Sequence, residues 1–346
     1  MQADLQNIVE PLLKWYQKNK RELPWRKDKD SYHVWISEIM LQQTRIEAVK
    51  SYYHRFMKEL PTVKSLANID EEELLKLWEG LGYYSRARNL KKAATVVMQQ
   101  YDGKMPTTYQ DLIKMPGIGE YTAGAIASIC FNEKVTAVDG NVLRVISRVV
   151  GSTKDVLLPE TKKEIEKDLK EIMPEQSGDF NEALMELGEL VCLPNGGPEC
   201  EKCPLQKNCV AYEKNLTQEI PVRIKKVKRK QEEKTVFLLM TESYKIAIEK
   251  RMEKGLLSGM YQLPNGKGYY KEEEMKELLT NWNLKVKQIS FLTEAKHVFT
   301  HIDWYMKCYL VMVEQENSRF LWVSQEELKE KYPLPTAFQK CMKIGK

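Results

Sequence analysis

The sequence specifies a two-domain protein, all-α up to about residue 215 and α+β from residue 235 onward. Three observations point there. Its 346 residues exceed most single domains. Apolar residues recur at helical spacing through the first part, with no convincing strand run before residue 215. After a polar, basic stretch at 216–234, short apolar runs bounded by turn residues take over.

Residues 5–18 read as an amphipathic helix carrying Leu5, Ile8, Val9, Leu12, Leu13, Trp15 and Tyr16. Leu23-Pro24-Trp25-Arg26 breaks it and sets a planar aromatic beside a fixed cation. A second helix is expected over Tyr32–Met40, with Glu38 flanked by Ile36 and Ile39. The default for a helical glutamate is to face water. Leu41-Gln42-Gln43-Thr44 interrupts the pattern with two amides, and Ile46, Val49, Tyr53, Phe56 and Met57 resume it until Pro61. Asp70 with Glu73 reads as a capping box before Leu74, Leu77 and Trp78. Glu79-Gly80-Leu81-Gly82-Tyr83-Tyr84-Ser85 is a loop with two glycines and two aromatics, and Ser85 caps a helix running to Tyr101-Asp102-Gly103.

Thr108–Lys114 reads as a short helix and Tyr121–Phe131, rich in Ala and Ile, as another. Between them, Pro116-Gly117-Ile118-Gly119 is a hairpin too tight for side chains at its two glycines. Such a turn exposes consecutive backbone N–H groups at a helix N-terminus, an anion site by geometry and by dipole. An ordinary turn between core helices is the plain alternative. The two short helices and the apolar Ile118 favour a helix-hairpin-helix that grips a DNA phosphate through Gly117, Ile118 and Gly119. Asn141 is expected to cap a helix closed by Gly151, and helices at about 160–173 and 179–191 lead into a run of cysteines. Further on, Thr235–Met240 and Lys245–Ile248 pair as a hairpin across Thr241–Tyr244. His301–Met312 alternates as a strand, and Ser324 with Glu327 opens a late helix.

A net charge of +5 and a pI of about 8.6 permit nucleic acid as a partner without demanding it. Six of the eight positions from Arg223 to Lys230 are basic, a solvated linker that can also touch phosphates. No apolar run has membrane-spanning length and the N-terminus lacks a signal-peptide pattern, so the chain is expected in the cytoplasm with no membrane partner. Thiols stay reduced there, and the seven cysteines are read as ligands or core residues rather than disulfides. Cys192, Cys200, Cys203 and Cys209 give C-x7-C-x2-C-x5-C, which suits a structural zinc or a [4Fe–4S] cluster. Only Cys200 and Cys203 form the close pair that zinc prefers, so the unequal gaps favour iron–sulfur. Lys202 and Lys207 between them would carry charge toward a phosphate backbone, while Cys130, Cys308 and Cys341 read as core.

Met115-Pro116-Gly117-Ile118-Gly119, Val138-Asp139-Gly140-Asn141 and the four-cysteine loop at 192–209 together resemble the endonuclease III superfamily of base-excision DNA glycosylases. Leu23–Arg26, Ser37–Thr44, Glu79–Arg86, Ala137–Arg144 and Phe180–Leu184 extend the likeness to its adenine DNA glycosylases, the MutY family. The resemblance implies an all-α helix-hairpin-helix glycosylase domain over 1–215 with one [4Fe–4S] cluster on the four cysteines. A basic linker at 216–234 and an α+β Nudix-like domain over 235–346 would follow. The family's first cysteine gap is usually six residues; here it is seven, with Asn195-Gly196-Gly197 as slack. The implied activity is that of a monofunctional, monomeric glycosylase of the bacterial nucleoid. It would flip and excise adenine opposite 8-oxoguanine or guanine in duplex DNA, leaving an abasic site.

Breaking the bond between a purine and deoxyribose needs a protonated leaving base and a stabilised sugar cation, work suited to two carboxyls in unlike environments. A carboxyl among apolar side chains holds its proton near neutrality. Glu38 is such a group and by resemblance protonates adenine N7. Asp139 lies at the mouth of a helix whose positive end keeps it ionised. By resemblance it stabilises the oxocarbenium ion, although a plain helix cap is the commoner use of such a residue. Tyr121 stands where bifunctional relatives carry a Schiff-base lysine, and with Asn141 it is expected to support Asp139. Arg26 and Glu182, walled by Trp25 and Leu41, resemble the adenine pocket, and Gln43 and Tyr83 the wedge that fills the duplex after flipping. Phe299-Thr300-His301 resembles the loop, usually Phe-Ser-His, that reads 8-oxoguanine. Gly268–Leu284 holds acidic residues but no REUxEE box, so no pyrophosphatase metal site is expected. Two rivals stand beside this: a bifunctional pyrimidine glycosylase and lyase, and a non-catalytic DNA-binding protein in which Glu38 and Asp139 are idle.

Overall fold

Two helices, Ser31–Leu41 and Glu120–Phe131, bury residues on every side, and helices of that kind must be covered all round. They form the centre of the first of two units in the computed structural model, which describes residues 5–194, 197–224, 229–251 and 255–342. The first unit comprises Met1–Asn68 and Asn89–Lys225; the second comprises Ile69–Arg88 and Lys226–Lys346.

The helices in chain order are α1 Val9–Asn19, α2 Ser31–Leu41, α3 Ile46–Glu59, α4 Val63–Asn68, α5 Glu71–Leu77 and α6 Ser85–Gln100. They continue as α7 Tyr109–Leu112, α8 Glu120–Phe131, α9 Gly140–Val150, α10 Pro159–Glu171, α11 Ser177–Leu190 and α12 Val210–Glu213. In the first unit α2 packs on α3 and α8, while α11 packs on α1, α8 and α9. One core joins Leu12 and Tyr16 of α1 to Val142, Val145 and Ile146 of α9 and to Phe180, Leu184 and Leu187 of α11. Each such aliphatic side chain contributes roughly 1.5–3 kcal/mol by leaving water.

The helix ends depart from the sequence reading in detail. Asp139, not Asn141, caps α9: its Oδ1 accepts from the N–H groups of Asn141 at 2.9 Å and Val142 at 2.8 Å. Gly151 closes that helix in the left-handed region, as expected. Ser85 is the first residue of α6 rather than its cap. Asp70 caps α5 through the Glu72 N–H at 2.7 Å instead of that of Glu73. Helix α7 keeps only four residues of the expected Thr108–Lys114 run, since the chain turns toward Pro116.

Only the first hairpin glycine is sterically required. Gly117 has φ +77°, and a Cβ there would lie 2.5 Å from Asn89 Cβ. At Gly119 a Cβ would meet nothing within 4 Å, contrary to the expectation that both positions are crowded. Gly117→Ala should therefore destabilise the protein by about 1–3 kcal/mol, while Gly119→Ala should cost far less. Thermal melting of the two variants measures the difference.

The second unit holds the strands β1 Lys230–Thr241, β2 Ile246–Lys250, β3 Tyr261–Gln262 and β4 Asn265–Lys267. After α13 Glu272–Asn281 come β5 Val286–Val298, β6 Ile302–Val313 and β7 Leu321–Val323, then α14 Gln325–Glu330 and α15 Thr336–Gln339. The sheet order is β3-β2-β1-β6-β5, with β4 on β1 and β7 on β2. Strands β1 and β6 run parallel from Lys230↔Ile302 to Thr241↔Val313, and the other pairings are antiparallel. Side chains alternate across a strand. Val236, Leu238 and Met240 enter one core with Trp304, Met306 and Phe338, while Phe237 and Leu239 enter another with Leu279 and Trp282. A strand covered on both faces reads as an unbroken apolar run, which is what Thr235–Met240 shows.

The expected β1–β2 hairpin is present, with Met240 opposite Ile246, but β1 begins at Lys230, inside the stretch read as linker. Part of the basic run, residues 225–228, lies outside the described residues. Cys308 and Cys341, expected as separate core thiols, are fully buried and joined as a disulfide, because β6 and the Lys340–Met342 turn bring them together. Among the described residues no helix is long and apolar enough to cross a membrane.

Candidate active site

Because α2 is apolar on nearly every side, it carries Glu38 inward: the side chain is 7% exposed. Tyr121, on the first turn of α8, donates its hydroxyl to Glu38 Oε2 at 2.6 Å. Burial pushes the Glu38 carboxyl up to about 7; the Tyr121 bond opposes this, and the charges of Glu182 and Asp139 add to it. Burial beside these carboxyls also drives the Tyr121 phenol well above its usual range, so it stays a neutral donor. It further reaches Met185 Sδ at 3.1 Å. The Tyr121 hydroxyl, expected to support Asp139, is hydrogen-bonded to Glu38 and Met185.

Asp139 receives three donors. Besides the two backbone N–H groups, Asn141 Nδ2 donates to its Oδ2 at 2.8 Å. Burial nevertheless pushes the Asp139 carboxyl above the ordinary aspartate range, and the donors pull the other way. The helix end expected to keep this group ionised is thus opposed by its desolvation. Arg144 fixes the orientation of the Asn141 amide by donating from Nη2 to Asn141 Oδ1 at 2.8 Å and to the Gly188 carbonyl at 2.9 Å. A Cβ at Gly188 would lie 2.6 Å from Asn141 Cβ, so the glycine lets α11 approach the cap.

A buried ionic lattice adjoins this pair. Arg26 Nε meets Glu182 Oε1 at 2.8 Å, and Arg26 Nη2 meets Glu186 Oε2 at 3.0 Å. Tyr16 donates to Glu182 Oε2 at 3.0 Å. Arg21 binds Glu186 through its backbone N–H and through Nε and Nη2, at 2.9, 2.7 and 3.0 Å. Burial raises the Glu186 carboxyl, but the two guanidiniums overcome it and hold it down at about 2. Sequence reasoning passed over Glu186, Arg21 and Arg144. The available signal was helical: Glu186 lies one turn beyond Glu182 on α11, and Arg144 one turn beyond Asn141 on α9. Glu186→Ala leaves Arg21 without its carboxylate and Arg26 with Glu182 alone, and should cost roughly 1–3 kcal/mol, measured by urea unfolding.

Trp25 is buried, edge-on to Tyr53 at 5.3 Å between ring centres, and Leu41 ends α2 half-buried. Gln43 and Tyr83 both have left-handed backbones, with φ 59° and 47°. Glu38, Tyr121, Asp139, Asn141, Arg26 and Glu182 are thus gathered in the first unit. Tyr83, Phe299, Thr300 and His301 belong to the second. There Tyr83 Oη and Thr300 Oγ1 lie 2.5 Å apart, and Phe299 packs edge-on to Trp304 at 4.9 Å. Thr300 and His301 are exposed on the β5–β6 turn.

The expected [4Fe–4S] centre is not borne out. Cys192, Cys200, Cys203 and Cys209 line one small cavity with Arg148 and Tyr212. Among the described residues, however, no three His, Cys, Asp or Glu side chains are grouped so as to hold a metal ion. The sulfurs are free thiols engaged otherwise: Arg148 Nη1 donates to Cys192 Sγ at 3.2 Å, and Cys209 Sγ donates to the Arg148 carbonyl at 3.4 Å. Burial pushes the Cys203 thiol up to about 12 and raises those of Cys200 and Cys209. Spacing alone suggested ligands; the arrangement of the side chains does not supply them. Asn195 and Gly196, read as slack in this loop, lie outside the described residues.

Residues 36–175 match the HhH-GPD superfamily of base excision DNA repair proteins, and residues 235–343 match the NUDIX domain. The chain is 34% identical to the adenine DNA glycosylase of Buchnera aphidicola subsp. Baizongia pistaciae, over 91% of this chain and 90% of that protein. With the Buchnera aphidicola subsp. Schizaphis graminum enzyme of the same name it shares 38%, covering 84% of each. With that of Rattus norvegicus it shares 31%, over 99% of this chain and 78% of the other. Among solved structures, a thermostable thymine-DNA glycosylase aligns at a TM-score of 0.55 and 30% identity, covering 60% of this chain and 97% of its own. An endonuclease III–DNA covalent intermediate aligns at 0.53 and 24% identity, over 62% and 99%, a likeness of fold.

Proposed function

The chain belongs to the adenine DNA glycosylase family, and from that premise we propose that Glu38 and Asp139 divide the excision of adenine between them. Neutral Glu38 donates its proton to N7 of the flipped base. The bonding electrons of the N-glycosidic link then leave with the base, and ionised Asp139 stabilises the cation left at the sugar until water adds and gives up a proton to the Glu38 carboxylate. An abasic site remains. The observation that carries this reading is the Glu38 carboxyl held at about 7 in an apolar helix, hydrogen-bonded by Tyr121.

The surrounding residues take supporting roles. Arg26 and Glu182, with Trp25 and Leu41, form the adenine pocket, where a carboxylate suits the exocyclic amine of the base. Tyr121 keeps the acid in place and, being a phenol, forms no Schiff base. The hairpin Gly117-Ile118-Gly119 takes a DNA phosphate, and Gln43 and Tyr83 fill the space the base vacates. On the second unit Thr300 and His301 bond to the N7–H and O8 edge that distinguishes 8-oxoguanine from guanine, with Phe299 anchoring the turn.

Release of adenine from duplexes with the base opposite 8-oxoguanine, guanine or thymine tests the substrate. Release should be fastest opposite 8-oxoguanine. Borohydride added during turnover should leave no covalent protein–DNA adduct; a stable adduct would establish the bifunctional alternative instead.

A further inference from the structure

We propose that Arg86 is a positioning residue that holds the loop at 80–83 in shape and so presents Tyr83 to DNA; this rests on the reading of Tyr83 as the wedge. The loop is expensive as it stands. Gly80 and Gly82 have φ 101° and 69°, and Tyr83 follows at 47°, a region that a bulky side chain rarely enters. Something must hold it there. The Arg86 side chain is buried, with the residue 8% exposed, and its Nη2 donates to the Leu81 carbonyl at 2.9 Å and the Gly82 carbonyl at 3.1 Å. The Gly82 carbonyl belongs to the peptide that enters Tyr83. Trp78 Nε1 donates to the same oxygen at 3.1 Å. The guanidinium lies 5.3 Å from the Trp78 ring centre and 5.5 Å from that of Tyr83. One planar cation thus fixes the peptide before Tyr83 and supports its ring, which remains 45% exposed and available to stack.

The distinguishing property of this role is that it acts through Tyr83 alone. Single-turnover adenine release opposite 8-oxoguanine is measured for Arg86→Gln, Tyr83→Ala and the double variant. Fluorescence of a 2-aminopurine beside the partner base reports stacking in parallel. Arg86→Gln should slow release about tenfold and weaken the stacking signal, yet change the rate by less than about twofold once Tyr83 is already alanine. Reductions that multiply in the double variant would overturn the proposal and leave Arg86 a structural residue. Should Tyr83→Ala release adenine at the wild-type rate, the wedge reading falls and this proposal with it. Arg86→Lys keeps the charge without the planar fork. It should fall between wild type and Arg86→Gln, and it carries the same cycle if the glutamine variant does not fold.

Discussion

Glu38→Gln is expected to slow single-turnover adenine release by roughly 10²–10⁴-fold, the range that a positioned general acid supplies. Duplex affinity should change little, because the amide keeps the shape of the carboxyl and can still accept from Tyr121. The pH profile gives the sign independently. An acid that must be protonated and titrates at about 7 works below that value, so the wild-type rate should fall about tenfold per unit above it. The variant should lack that limb. The stability contributed by this group should fall over the same pH range as the rate. The folded chain binds the Glu38 proton more tightly than an ordinary glutamate at 4.5, so this group favours folding most at low pH, and its contribution is lost as pH rises through about 7. The difference of about 2.5 units, 7 less 4.5, corresponds to about 3 kcal/mol. Glutamine cannot ionise, and at pH 8 the inactive variant should melt no lower than wild type. A wild-type rate from Glu38→Gln would end the two-carboxyl mechanism.

Asp139→Asn should slow release by about 10²–10³-fold, the usual loss when a stabiliser of developing charge is neutralised. Asparagine is itself a good helix cap, and its Oδ1 can still accept from the N–H groups of Asn141 and Val142. The variant therefore separates charge from capping. Asp139→Ala removes both and should add about 1 kcal/mol of instability to a similar loss of rate. If Asp139→Ala and Asp139→Asn lost stability without losing rate, Asp139 would be a cap and nothing more.

Glu38 inside an apolar helix and Asp139 ahead of a helix start could be singled out from local pattern, but their roles came from the family resemblance and not from that pattern. What they touch was not legible in the sequence. Tyr121 is 83 residues from Glu38 in the chain, and no periodicity reports which of two acids a phenol will face. The Arg21–Glu186–Arg26 lattice is likewise a product of α1, the loop after it and α11 meeting. Local rules also misplaced some features. The cysteine gaps look like a ligand set, yet metal binding depends on where the sulfurs point, which spacing does not encode. Strand β5 escaped notice because, at the sheet edge, its exposed and half-buried residues show no clean alternation.

That Ile69–Arg88 folds as part of the second unit bears on how the protein can be dissected. Lys76 Nζ donates to the carbonyls of Leu328 and Tyr332, and Glu79 accepts from the Leu334 N–H, bonds spanning up to 256 residues of sequence. A gene shortened after residue 225 would not yield an intact first domain lacking only its neighbour. It would strip α5 of these tertiary anchors and Tyr83 of Thr300, so a defect in such a fragment would conflate the missing second domain with a loosened 69–88 segment.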